Sequence, residues 1–194
     1  MYKDKTIADY NQLLASKAAV PGGGNALPMV GATACALCEM AANVTLAKYG
    51  DDFDYAGELS ANLKLLTMCR CRLQTLADDD SVAFSNILAA MRLPKETEQQ
   101  AAERKAELQK QYHKSALVPI EVMQVAARAL GLAQKCLPYL YKYVASDAEI
   151  GISLLRAVIC NSLHNVTANT SLIADDNLRT RLDKEAKYIV DTIR

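Results

Sequence analysis

From Asn25 to Lys48 the chain sets small or apolar residues on every face of a would-be helix. Met29, Val30, Ala34, Leu37, Met40, Ala41 and Val44 together go all the way round. A helix without a polar face has to be covered on every side. A second segment, with Ile150, Leu154, Val158, Ile159, Leu163 and Val166, repeats the pattern. Other helices must wrap these two. In a chain of 194 residues, one of the pair is expected to meet a second copy, most simply across a twofold axis.

The remaining segments also read as helix. No alternating run bounded by turn signals occurs, and there is no Asn-Gly or Asp-Gly hairpin. Thr6-x-x-Asp9 opens a first helix with Ile7, Tyr10 and Leu14 on one face. A third, long helix runs from about Ala56 toward Met91 on a stripe of Leu59, Leu63, Leu66, Leu73 and Ala77, and Pro94 ends it. Thr97-x-x-Gln100 caps a charged stretch that reads as a solvated face, and Pro119 is expected to break or kink the helix beyond it. After the aromatic run Tyr139, Tyr141 and Tyr143, Ser146-x-x-Glu149 is expected to cap a helix reaching about Ala174. A final amphipathic helix comes after Asp176. The fold class is therefore all-α: one domain over residues 1–194, a bundle of about six helices, two largely buried, forming a homodimer or higher homo-oligomer.

Charge and cysteine use narrow the function classes. Lys+Arg 22 balance Asp+Glu 22, so neither a nucleic-acid partner nor a polybasic membrane anchor is expected. The first residues carry no apolar signal core, and the longest uncharged stretch, Ala18 to Cys38, is broken by Pro21, three glycines and Pro28. A cytoplasmic location with six reduced cysteines is the expectation. Cys35-x-x-Cys38 lies inside a buried helix, and Cys69 and Cys71 diverge around another. Neither matches the turn-borne ligand spacing of zinc sites, so no metal is expected.

Several residues stand out as chemistry. Pro21-Gly22-Gly23-Gly24-Asn25 opens the buried helix, where free amides and small residues let a ligand come close. Asp78-Asp79-Asp80 sits inside a long helix, an unfavourable place for Asp unless it is exposed or used. Phe84 and Ile87 pull that turn inward, so one of the three is expected to face the core. Asp147 lies in the first turn of a helix, where the dipole favours a carboxylate. Asn165 and Asn169, one turn apart in an apolar helix, need partners or a ligand. His113 reads as a surface residue, and His164 as a core or interface histidine.

Taken together, these segments resemble the cyclodeaminase/cyclohydrolase family of folate enzymes. The resemblance rests on Leu13-Leu14-Ala15-Ser16 with Pro21-Gly22-Gly23-Gly24, Gly31-Ala32, Asp80-Ser81-Val82-Ala83-Phe84 and Leu93-Pro94-Lys95-Glu96-Thr97. It continues through Val118-Pro119-Ile120, Ser146-Asp147, Asn165-Val166-x-x-Asn169 and Asp175. It implies an all-helical homodimer acting on the one-carbon bridge of a reduced folate, without metal or redox cofactor. Asp80 and Asp147 are then the catalytic candidates. Gly22, Gly23, Gly24, Asn25, Tyr141, Asn165 and Asn169 are substrate-binding candidates, with Lys95 at the glutamate tail. Two departures stand near the expected pocket: Asn25, Leu27 and Pro28 where the family has Ser and small residues, and Leu140-Tyr141 where it has Gly-Asn. The first expectation is a methenyltetrahydrofolate cyclohydrolase. The alternatives are a formiminotetrahydrofolate cyclodeaminase and a silent helical dimer that binds a folate or another ligand.

Overall fold

The computed structural model describes residues 1–50 and 52–193. It consists of six α-helices and two short 3-10 turns, with no strand among the described residues. The helices are α1 (Ile7–Leu14), α2 (Gly23–Tyr49), α3 (Ala56–Met91), α4 (Glu98–Cys136), α5 (Ala145–Thr170) and α6 (Asp176–Thr192). The 3-10 turns are Tyr2–Asp4 and Leu137–Tyr139.

Local signals set several of the boundaries. Thr6 caps α1 by accepting from the Asp9 amide at 3.1 Å. Thr97 accepts from the Gln100 amide at 3.2 Å while the Gln100 side chain accepts from the Thr97 amide at 3.2 Å, so both halves of a capping box start α4. Asp175 caps α6 through the amides of Asn177 and Leu178.

α2, α3, α4 and α5 pack as the body of the bundle, and α6 lies against α4 and α5. The core is built from small residues on α2 (Ala34, Cys35, Ala41, Ala42) and large ones on its neighbours (Leu59, Leu66, Leu73, Met123, Leu155, Ile159). α2 and α5 approach closely at Gly151. A Cβ there would stand 2.6 Å from the Cys38 sulfur and 2.7 Å from the Ala34 carbonyl oxygen. α2 and α4 contain stretches long and apolar enough to cross a membrane, but half of the α2 window and 56% of the α4 window are buried inside the bundle.

Three local expectations are corrected. Pro119 neither breaks nor ends its helix, since α4 runs through it from Glu98 to Cys136. Ser146 does not cap α5. That helix begins one residue earlier, at Ala145, with Val144 as a cap that offers no side chain. α5 also stops at Thr170, not near Ala174. There the chain turns so that Ile173 enters the core, and Gln109 of α4 holds the turn from both sides. Gln109 donates to the Leu172 carbonyl at 3.2 Å and accepts from the Ala174 amide at 2.7 Å.

The two apolar helices leave one outer side uncovered within the single chain. Val30 and Val44 on α2 are 39% and 37% exposed, and Ile150 on α5 is 52% exposed. His164 is also exposed on α5, so it is not a core histidine.

Candidate active site

Four helices and the loop before α2 converge where α2 begins. The loop before α2 contributes Ala19 and Val20, the helix start contributes Gly22, Gly24 and Asn25, and α3 contributes Asp80, Ala83, Phe84 and Ile87. Ser115 comes from the middle of α4, and Asn165, Ala168 and Asn169 from the last turns of α5. Together they surround a cleft with about 570 Å³ of empty space.

Asn25 fixes the geometry. It is fully buried. Its Oδ1 accepts from the Gly22 amide at 2.8 Å, which closes the first turn of α2. Its Nδ2 donates to the Ala77 carbonyl at 2.6 Å and to Ser81 Oγ at 3.0 Å. Ala77 and Ser81 bracket Asp80 on α3, so one side chain binds the glycine turn to the acidic turn. A buried amide satisfied at both ends specifies its neighbours' positions.

The three consecutive aspartates have three different environments. Asp78 accepts from the Tyr2 amide at 2.8 Å. The Tyr2 hydroxyl lies 2.7 Å from Ser81 Oγ, so the N-terminal turn buttresses this stretch of α3. Asp79 pairs with Arg72 at 2.9 Å, and Arg72 also holds Glu121 at 2.7 Å. Asp80 alone turns toward the cleft and meets the helix start. A Cβ on Gly24 would lie 2.6 Å from its carboxyl carbon. Burial raises its pKa above the usual 3.8, because the charged form loses solvent. Among the described residues that line the cleft, none carries a positive charge.

The two asparagines of α5 close the other side. Asn165 Oδ1 lies 3.6 Å from where a Cβ on Gly23 would stand. Asn169 Nδ2 donates to the Ser115 carbonyl at 2.9 Å. Ala83, Phe84 and Ile87 form an apolar wall along α3.

The structure thus brings together Gly22, Gly24, Asn25, Asp80, Asn165 and Asn169, with Gly23 beside Asn165. Lys95 lies apart, between α3 and α4, in a second cleft shared with Arg104, Lys105 and Tyr112. Asp147 and Tyr141 are at the opposite end of the bundle. Asp147 precedes Asn165 by eighteen residues of α5, about 27 Å along the helix. The Tyr141 amide donates to Thr45 Oγ1 at 2.9 Å, and its ring packs edge-on against Tyr49 at 5.9 Å. Within one chain neither residue reaches Asp80. The Asn25 side chain, which also lines the cleft, is engaged in tying the glycine turn to α3.

Sequence reasoning does not single out Ser115 or Ala168, and it takes Phe84 and Ile87 as core-facing residues, not as a wall of the cleft. A signal for Ser115 is present: Pro119, four residues on, removes the backbone donor that its carbonyl would otherwise receive. Cys35 and Cys38 are buried among core side chains. Burial pushes the Cys38 thiol up to about 12 and the Cys35 thiol up as well, which disfavours the thiolates that metals require. Among the described residues no cluster of three His, Cys, Asp or Glu is placed to hold a metal.

The fold and cleft define a helical-bundle protein whose candidate site is one half-buried carboxylate set against a glycine-opened helix start. The chain belongs to the formiminotransferase-cyclodeaminase family, whose model matches residues 6–188. It is 29% identical over 175 residues to a methenyltetrahydrofolate cyclohydrolase of Methylorubrum extorquens, covering 90% of this chain and 84% of that one. It is 28% identical to the formimidoyltransferase-cyclodeaminase of Gallus gallus, but spans only 35% of that longer protein. A crystal structure of formiminotetrahydrofolate cyclodeaminase from Thermotoga maritima superposes with a TM-score of 0.86 at 26% identity, covering 100% of this chain and 92% of that one.

Proposed function

We propose that this chain is a methenyltetrahydrofolate cyclohydrolase, converting 5,10-methenyl- to 10-formyltetrahydrofolate. The observation that carries the proposal is Asp80: a half-buried carboxylate facing a cleft that supplies no positive charge. Such a group calls for a cationic ligand. The methenyl bridge is an amidinium-like cation, and the apolar wall of Ala83, Phe84 and Ile87 suits the flat ring system attached to it.

The chemistry stems from the position of that carboxylate. Water adds to the bridge carbon and Asp80 takes its proton, giving a neutral tetrahedral carbon. The carbon–N5 bond then breaks as the remaining hydroxyl loses its proton to solvent and becomes the formyl oxygen, while N5 receives the proton held by Asp80. One water is consumed and one proton released. A carboxylate whose pKa is raised by burial is the better base for the first step. Asn165 and Asn169 supply hydrogen bonds to the ring or the bridge.

Lys95, with Arg104 and Lys105, is assigned to the anionic glutamate tail. Tyr112 of that second cleft and Ser115 of the first lie one turn apart on α4. A role for Asp147 at the same cleft requires it to come from a second copy of the chain, which agrees with the uncovered side of α2 and α5.

The resemblance to the Thermotoga maritima structure keeps one second activity in view, cyclisation of formiminotetrahydrofolate with loss of ammonia. Purified protein given each folate separately distinguishes the two. Accelerated loss of the methenyl absorbance supports the hydrolase, and ammonia release from the formimino compound supports the deaminase. Binding without either product overturns both.

A further inference from the structure

α4 passes through Pro119 without ending, and this has a consequence at the cleft. In an α-helix the amide of residue 119 would donate to the carbonyl of residue 115. Proline has no such donor. The Ser115 carbonyl, at the cleft, is therefore free, and Asn169 Nδ2 takes it at 2.9 Å. A carbonyl oxygen only accepts, so the nitrogen end of the Asn169 amide must face Ser115 and Oδ1 must face the other way. Asn169 lines the cleft, and its Oδ1 is neither paired with another described group nor sealed from solvent. Pro28 of α2 stands four residues beyond Gly24, which also lines the cleft, and likewise withholds the amide that the Gly24 carbonyl would receive.

We propose that Pro119 is a positioning residue: by withholding its amide it leaves the Ser115 carbonyl to orient Asn169, so that the cleft is presented with an oxygen rather than an NH₂ group. Beside Asp80 this gives the cleft a further acceptor and no donor from Asn169. It favours a ligand bearing positive charge or an N–H, and discriminates against one whose matching atom is a lone-pair acceptor. This rests on the cyclohydrolase reading only for the identity of the ligand, not for the orientation of the amide.

The test is a double-mutant cycle of Pro119→Ala and Asn169→Ala, read by kcat and KM on methenyltetrahydrofolate, together with the Asn169 side-chain amide signals in the ¹⁵N spectrum. Pro119→Ala restores the helical donor. It is expected to leave the melting midpoint unchanged or higher, shift the Asn169 amide signals and lower kcat/KM by about tenfold or more. In the Asn169→Ala background the same change should have almost no further effect, because Pro119 acts through Asn169. Unshifted amide signals in Pro119→Ala, or effects that simply add, overturn the proposal. A melting midpoint that falls along with activity does so too, since that is plain structural damage. Should Pro119→Ala not fold, Asn169→Asp serves in its place. It sets an acceptor against the Ser115 carbonyl, and unchanged kcat/KM in that variant overturns the proposal. If the wild-type protein hydrolyses no folate, the amide signals still decide the orientation without any substrate.

Discussion

The carboxylate of Asp80 occupies the space that a side chain on Gly24 would fill. The two residues come from different helices, so the start of α2 and the middle of α3 are shaped for each other at this point. Gly24 is not needed for its backbone freedom, as its φ lies outside the left-handed region. It is needed for the close approach.

Gly24→Ala should therefore separate stability from activity. Asp80 ends in a short side chain that can rotate away, so the folding cost should stay within about 1 kcal/mol. The displaced carboxylate should lower kcat/KM by about a hundredfold. Thermal unfolding and steady-state kinetics on the same preparation check this. Wild-type kinetics in Gly24→Ala would show that the Asp80 position is not used.

Asp80→Asn should be at least as stable as the wild type near neutral pH. Burial raises the pKa of Asp80 in the folded chain above its ordinary 3.8. A group raised on folding favours the folded state below the unfolded value, and that contribution is lost as pH rises through the folded value. The wild type should thus lose stability relative to Asp80→Asn as pH climbs from about 4, with the gap constant at higher pH. Urea midpoints of both proteins across that range test it. A gap that instead opens toward low pH would mean that Asp80 is held by a favourable partner.

Asn25→Ala should be costly. It leaves the part-buried Gly22 amide without its partner and strips the Ala77 carbonyl and Ser81 Oγ of the buried amide that ties them to α2. Unsatisfied buried groups of this kind set the expected loss at roughly 2–3 kcal/mol. Denaturant unfolding measures it, and a loss under about 0.5 kcal/mol would contradict the linking role given to this residue.

Sedimentation should find at least a dimer. If the dimer also completes the site with Asp147, then Asp80→Asn and Asp147→Asn, each inactive alone, should recover part of the activity when unfolded together and refolded as a mixture. Recovery from the mixture, absent from either variant refolded alone, is the expected result. A clean monomer, or full activity in Asp147→Asn, would remove the second copy from the mechanism.

Much of this arrangement is legible in the sequence, because caps and close approaches are local. Thr6 and Thr97 announce their helices by chemistry that reaches only three residues. The glycines after Pro21 mark where something must come close, and an Asp triplet inside a helix marks where something unusual faces inward. Which of the three turns in depends on partners far along the chain: Tyr2 for Asp78, Arg72 for Asp79. Pro119 reads as a break or kink because its effect on its own helix is local, whereas the residue that takes up the freed carbonyl, Asn169, comes from another helix. Ser146 is the right residue type for a cap, yet α5 starts one residue before it at Ala145. Asp147 and Asn165 both qualify by sequence for one site, and only the length of α5 shows that a single chain separates them.

The most direct measurement of the central claim is the decay of methenyltetrahydrofolate absorbance with wild-type protein and with Asp80→Asn, each against the spontaneous rate. Acceleration by the wild type, lost in a folded Asp80→Asn protein, is the predicted result. Equal rates from the two proteins would contradict the assignment of the reaction to the Asp80 cleft.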